Sequence, residues 1–288
     1  MQFITNKSGT NGRDTKIYYQ EYGQGKPVVF IHGWPLNSDM WEYQLEPLSR
    51  EGMRCIAYDR RGFGRSSKTT DTYTYDAMAD DLHALLEELD LRDVTLVGFS
   101  MGGGEVARYL GKHGDDRIAG AVFVSSVTPY MLDTDSHDGV EWKVFQGMID
   151  GIREDRPDFM STFGKNFYGV SLLSHPVSSE LLAWTKSLAL QGSAKATIDC
   201  VTAFAKTDFR QDLAKIKVPT MVIHGTGDEI VPIKVAGDQT AEMVANARYH
   251  KYDGAPHALF YTHREKLNAD LTAFVKNNVS TRHEVAVN

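Results

Sequence analysis

From Lys16 to Tyr22 the chain alternates between polar and apolar residues, and this period of two predicts a strand. Gly23-Gln24-Gly25-Lys26 reads as a turn, and the apolar run Pro27 to Ile31 as a second strand. The period then changes. Met40 to Leu48 predicts an amphipathic helix behind the capping cluster Asn37-Ser38-Asp39. Arg54 to Tyr58 predicts a strand. From Asp76 to Leu89, apolar Met78, Leu82, Leu85, Leu86 and Leu89 recur at helical spacing with acids on the opposite face. Val94 to Val97 is apolar and β-branched, Glu105 to Leu110 has a helical pattern, and Ile118 to Val127 is one more buried strand. Strands alternating with helices predict an α/β fold, a mostly parallel sheet of about eight strands with helices on both faces.

At Pro129 the rhythm breaks. From Tyr130 to about Lys215 no strand pattern occurs, and helices are expected at Val140–Glu154, Pro157–Asn166, Ser178–Leu190 and Ala194–Ala205. Their large apolar residues include Trp142, Phe145, Met148, Phe163, Trp184 and Phe204. The expectation is a helical cap, residues 130–214, inserted after the sixth strand, on a core made of 1–129 and 215–288. Strands resume at Val218–His224 and Arg248–Tyr252, with helices expected at Lys234–Val244 and Arg264–Lys276. The tail Val279–Asn288 reads as frayed.

Composition narrows the function classes. The 288 residues are 42% hydrophobic and carry a net charge of -7, which argues against a nucleic-acid partner. No run approaches the roughly 18 apolar residues of a membrane span, and Met1 to Lys7 has no apolar signal-peptide region. Cys55 and Cys200 fall in separate predicted elements, so no disulfide and a cytoplasmic location are expected. There is no CxxC or HExxH, and the histidines are scattered. Neither a metal site nor a cofactor is expected.

Candidate chemistry centres on Gly98-Phe99-Ser100-Met101-Gly102, between a predicted strand and a predicted helix. Strand, tight turn and helix are the context of a nucleophile elbow, although a turn with a capping serine also fits the bare motif. Gly98 and Gly102 let strand and helix approach closely, and the helix N-terminus would stabilise an oxyanion beside Ser100. Asp228 follows the strand ending at His224 and is the expected acid. Glu229 is its rival, and an Asx turn is the alternative role for Asp228. His257, in the loop Asp253-Gly254-Ala255-Pro256-His257, is the expected general base. The loop His32-Gly33-Trp34-Pro35 ends a strand where such folds build their sites, and Trp34 stands where hydrolases with a serine elbow supply a second oxyanion N–H, although an ordinary turn with a packed tryptophan fits equally well. The loop Asp59–Ser67 lacks a Walker lysine; Asp59 is expected to hold loop N–H groups and the arginines to pair.

The chain order Ser100, Asp228, His257 resembles that of the α/β-hydrolase superfamily. Within it the chain is similar to the bacterial cofactor-free haloperoxidases and aryl esterases. The matching residues are His32-Gly33-Trp34-Pro35-Leu36, the run Asp59 to Ser66, Gly102 to Tyr109, Thr207-Asp208-Phe209 and Gly254-Ala255-Pro256-His257. Phe99 stands where many members have histidine, Met101 where many have serine or threonine, and Gly-Thr-Gly-Asp where many have Gly-Asp-x-Asp. The resemblance implies an α/β-hydrolase fold and an esterase working through an acyl-enzyme, with Ser100, Asp228 and His257 as its triad. The backbone N–H groups of Trp34 and Met101 would form the oxyanion hole, and Trp34, Phe99 and Met101 would wall the substrate pocket. It further implies a perhydrolase and haloperoxidase side activity without haem or metal, and a small ester or carboxylic acid as ligand. A lactonase or C–C bond hydrolase with the same triad, a slow-turnover signalling protein, and assembly into a homo-oligomer stay open. Haloalkane dehalogenases and epoxide hydrolases use an aspartate nucleophile, against which Ser100 argues.

Overall fold

The computed structural model describes residues 1–7, 14–71, 73–245 and 247–278. Its strands are β1 (Gln2–Asn6), β2 (Thr15–Tyr22), β3 (Lys26–Ile31), β4 (Met53–Tyr58), β5 (Val94–Phe99), β6 (Ile118–Val124), β7 (Thr220–Gly225) and β8 (Arg248–Tyr252). They form an eight-stranded sheet in the order β1-β2-β4-β3-β5-β6-β7-β8. β2 pairs antiparallel with β1 and with β4, and every other pairing is parallel. β1 is an edge strand that the hydrophobic pattern does not reveal. β5 is buried along its whole length between β3 and β6. A central parallel strand is covered on both faces, which is why its sequence runs apolar without alternating.

The helices are α1 (Glu42–Arg50), α2 (Tyr75–Glu88), α3 (Met101–His113), α4 (Trp142–Phe167), α5 (Ser179–Leu190), α6 (Ala194–Lys206), α7 (Arg210–Leu213), α8 (Gly237–Met243), α9 (Leu259–Thr262) and α10 (Arg264–Asn277). Side-chain oxygens of Thr74, Ser178 and Ser193 cap α2, α5 and α6 by accepting from Ala77, Leu181 and Ala196 N–H. α1, α9 and α10 pack as one group, and α2, α3 and α7 as another. Where two helices were expected before Asn166, α4 runs through with a kink. Asp155 leaves helical geometry at φ −148°, ψ 90°, and its carboxylate accepts from Asp158 N–H at 3.0 Å. It thus caps a second half whose early turn holds Pro157. The helix expected at Lys234–Val244 is shorter, because its first residues form turns. The frayed tail expected at Val279–Asn288 lies outside the described residues.

Cys55 and Cys200 are both buried and free. No helix among the described residues is long and apolar enough to cross a membrane.

Candidate active site

The turn after β5 puts Ser100 at φ 53°, ψ −119°, a left-handed backbone that a non-glycine residue adopts only under constraint. The constraint comes from both sides. Ser100 N–H donates to Val124 O on β6 at 2.8 Å, and Gly103 N–H donates back to Ser100 O at 3.0 Å. The glycines of the motif are required by close approach. A Cβ at Gly98 would lie 2.5 Å from Gly102 O, and one at Gly102 would lie 2.3 Å from Ile31 O. α3 therefore starts against the ends of β3 and β5, with Ser100 at its N-terminus.

His257 reaches this serine from the loop after β8. Its Nε2 lies 2.9 Å from Ser100 Oγ, and its Nδ1 lies 2.7 Å from Asp228 Oδ2. Nδ1–H donates to the carboxylate, which leaves Nε2 to accept from the hydroxyl. The acid and histidine loops are tied by Thr226 N–H to Tyr252 O at 2.9 Å and Gly227 N–H to Ala255 O at 3.1 Å.

Asp228 is buried and fully engaged. Oδ1 accepts from Ile230 N–H at 3.0 Å and Val231 N–H at 2.8 Å, an Asx turn. Oδ2 faces His257 and also His224 Nε2 at 3.3 Å. The turn-forming and histidine-facing roles are thus divided between its two oxygens. Burial raises its pKa, but the opposing effects of His257 and His224 are larger together and hold the carboxyl well below its usual range. Glu229 is exposed and lies outside this chain of contacts. Burial pushes the thiols of Cys55 and Cys200 up to about 12, so neither is a rival nucleophile.

Ser100 and His257 open into a small, partly open cavity of about 50 Å³. Trp34, Phe145, Met148, Phe163 and Phe204 line it with Ile230 and Val231. Trp34 meets Phe163 and Phe204 edge to face at 5.2 and 5.8 Å, and its indole N–H donates to Thr197 O at 2.9 Å. Val144 belongs to the lining yet is 49% exposed, which places it at the boundary between cavity and solvent. Phe99 and Met101, expected as pocket walls, are not among the lining residues and are fully buried. Phe99 packs beneath the site on the His257 ring at 4.9 Å and on Phe260 at 5.0 Å.

The backbone N–H groups of Trp34 and Met101 meet no acceptor among the described residues. The Met101 carbonyl is occupied by the Tyr75 hydroxyl, which donates to it at 3.1 Å.

Two histidines near this site escape sequence reading. His224 sits four residues before Asp228 at the end of β7, and that spacing was its available signal. His32 adjoins the glycine of the Trp34 loop, and its partner Arg60 is 28 residues away. The Asp59 loop matches its reading: Asp59 accepts from Ser38 N–H at 2.9 Å and Arg65 N–H at 2.7 Å, while Arg60 and Arg61 pair with Glu105 and Asp81. Among the described residues no group of three or more histidine, cysteine or acidic side chains is placed to hold a metal.

Comparison with known proteins agrees with this architecture. The profile of the alpha/beta hydrolase fold matches residues 26–264. A non-heme chloroperoxidase of Kitasatospora aureofaciens is 42% identical over 90% of this chain and 96% of its own length. A bifunctional esterase/perhydrolase of Acinetobacter calcoaceticus is 38% identical over 96% of this chain and 100% of its own. The crystal structure of a bromoperoxidase from Bacillus anthracis superposes with a TM-score of 0.91 at 42% identity, covering 96% of this chain and 99% of that one. On this match of sequence and structure, the chain belongs to the α/β-hydrolase fold family.

Proposed function

We propose that this protein is a serine carboxylic-ester hydrolase for small acyl or aryl esters, with cofactor-free perhydrolysis and halide oxidation as a side activity. The observation that carries the reading is the contact chain Ser100, His257, Asp228 opening into a small apolar cavity. The esterase/perhydrolase and chloroperoxidase relatives support it.

His257 takes the proton of Ser100 as Oγ attacks the ester carbonyl, and Asp228 stabilises the imidazolium. The N–H groups of Trp34 and Met101 stabilise the tetrahedral oxyanion. His257 then protonates the leaving alcohol. Water, activated by the same histidine, hydrolyses the acyl-enzyme. Hydrogen peroxide in place of water yields a peracid, which oxidises halide away from the protein.

In this reading residues 1–129 and 215–288 are the catalytic core and 130–214 the cap that walls the pocket. The protein works in the cytoplasm on a small ester or carboxylic acid, and its acidic net charge of -7 argues against nucleic acid.

The test is steady-state hydrolysis of p-nitrophenyl acetate by wild type and Ser100→Ala. Wild type should turn over repeatedly, and the variant should lose on the order of 10⁵-fold or more in kcat while remaining folded. A single stoichiometric burst in wild type would instead indicate a slow-turnover signalling protein. Bromination of monochlorodimedone should need peroxide and acetate together and vanish in Ser100→Ala; bromination without any carboxylic acid would refute the side activity.

A further inference from the structure

We infer that His32 is a positioning residue that sets the Gly33–Trp34 peptide so that the Trp34 N–H faces the oxyanion, and that a buried chain from Glu105 through Arg60 ties this setting to the helix bearing Ser100. The inference rests on the hydrolase reading above.

The need for such a lock follows from Gly33. A Cβ there would lie 2.6 Å from the Phe99 ring and 3.1 Å from Ser100 Cβ, so the position must be glycine. Glycine leaves the following peptide plane free to rotate. A peptide is planar, and its C=O and N–H point in opposite directions. Whatever holds the Gly33 carbonyl therefore also aims the Trp34 N–H.

Two donors hold that carbonyl. His32 Nδ1 and Leu36 N–H each lie 3.0 Å from Gly33 O. The tautomer of His32 is fixed from its other side, where Nε2 accepts from Arg60 N–H at 2.9 Å. A neutral ring accepting at Nε2 carries its proton on Nδ1, directed at Gly33 O. Arg60 Nη1, 3.3 Å from Nδ1, is a donor as well and does not compete for that proton.

The chain continues inward. Arg60 Nη2 donates to His32 O at 2.7 Å, and Arg60 Nε donates to Glu105 Oε2 at 2.7 Å. Tyr58 donates its hydroxyl to the other Glu105 oxygen. The side chains of Arg60 and Glu105 are 1% and 0% exposed. An ion pair so deeply buried is a weak stabilising device, because desolvation offsets the attraction. Here it joins two loops. Glu105 lies in the second turn of α3, the helix whose first N–H is that of Met101. The two proposed oxyanion donors thus belong to segments held in register by a chain of hydrogen bonds.

The experiment compares wild type, His32→Leu and His32→Asn in three measurements: p-nitrophenyl acetate kinetics, affinity for a trifluoromethyl ketone that forms a tetrahedral adduct on Ser100, and Tm. His32→Leu should lose about 10²-fold in kcat, the scale of one oxyanion donor, with KM within about threefold. Ketone affinity should fall by the same factor. His32→Asn, whose amide N–H can occupy the Nδ1 position, should recover most of both. A purely structural role would lower Tm without making kcat and ketone affinity fall together. Should His32→Leu fail to fold, Glu105→Gln carries the test with a smaller loss, again shared by kcat and ketone affinity. Active wild type with an equally active His32→Leu, or losses in kcat that ketone affinity does not follow, overturns the inference alone. Wild type that fails to turn over esters overturns the hydrolase reading, and the inference with it.

Discussion

His224 and His257 address the same oxygen of Asp228: His224 Nε2 lies 3.3 Å from Oδ2 and His257 Nδ1 lies 2.7 Å from it. His224 Nε2 also lies 2.8 Å from the carbonyl of Val231, whose own N–H donates to Asp228 Oδ1. The second histidine therefore holds both the carboxylate and the loop that aims it.

Replacing His224 should accordingly weaken turnover without touching substrate binding. His224→Phe keeps a ring in the buried site and removes the donor. The loss of one hydrogen bond to a carboxylate, about 1.5 kcal/mol or more, corresponds to a kcat lowered roughly tenfold or more with KM unchanged. Steady-state kinetics on p-nitrophenyl acetate decide it, and an unchanged kcat would leave His224 with a packing role.

Asp228→Asn should impair kcat by about 10⁴-fold, since the amide favours the wrong tautomer of His257. Glu229→Gln should stay within about twofold of wild type, because Glu229 is exposed and stands apart from the histidine. The reverse ranking would move the acid by one residue.

The acyl pocket should discriminate by length. The narrow cavity walled by Trp34, Phe145, Met148, Phe163 and Phe204 should admit acetyl to butyryl, whereas octanoyl must displace packed aromatic side chains. Overpacking costs about 1–3 kcal/mol, so octanoate esters should fall roughly tenfold or more in kcat/KM. Val144→Ala, which widens the exposed rim, should raise hexanoate relative to acetate; a chain-length series on both proteins reads this directly.

Stability should depend on pH through His32. Burial first, and then the Arg60 charge, push its pKa down to about 3, against an ordinary value of 6.5. Between those values the unfolded chain binds a proton that the folded chain refuses. The stability from neutral His32 is therefore complete above pH 6.5 and is lost as pH falls toward 3, at up to about 1.4 kcal/mol per pH unit. Urea unfolding of wild type and His32→Asn from pH 7 to 4 should show wild type losing its advantage at that rate. A constant difference between the two would contradict the argument.

The sequence revealed the sheet because central parallel strands run apolar, and it placed Ser100, Asp228 and His257 because each follows a readable strand in a turn-rich loop. β1 escaped because five residues at an antiparallel edge carry little pattern, and α7 and α9 because four residues make barely one turn. Phe99 was expected in the pocket from its neighbourhood to Ser100. The turn sends it the other way, into the ring cluster under His257. His32 and His224 were missed for a different reason. Their effects act through carbonyls and a carboxylate whose positions depend on the folded loops, and residue types along the chain do not specify that geometry.

The smallness of the cavity also fixes an order of events. The alcohol leaves and the nucleophile arrives in the same narrow cavity, beside the acyl group that Ser100 then carries. Release must precede attack, so the two substrates should obey ping-pong kinetics, with parallel lines in double-reciprocal plots of ester against peroxide. The same crowding makes the second substrate a contest of size. Water, peroxide and methanol can compete for the acyl group, and a bulky alcohol should leave it to them even when it is the stronger nucleophile.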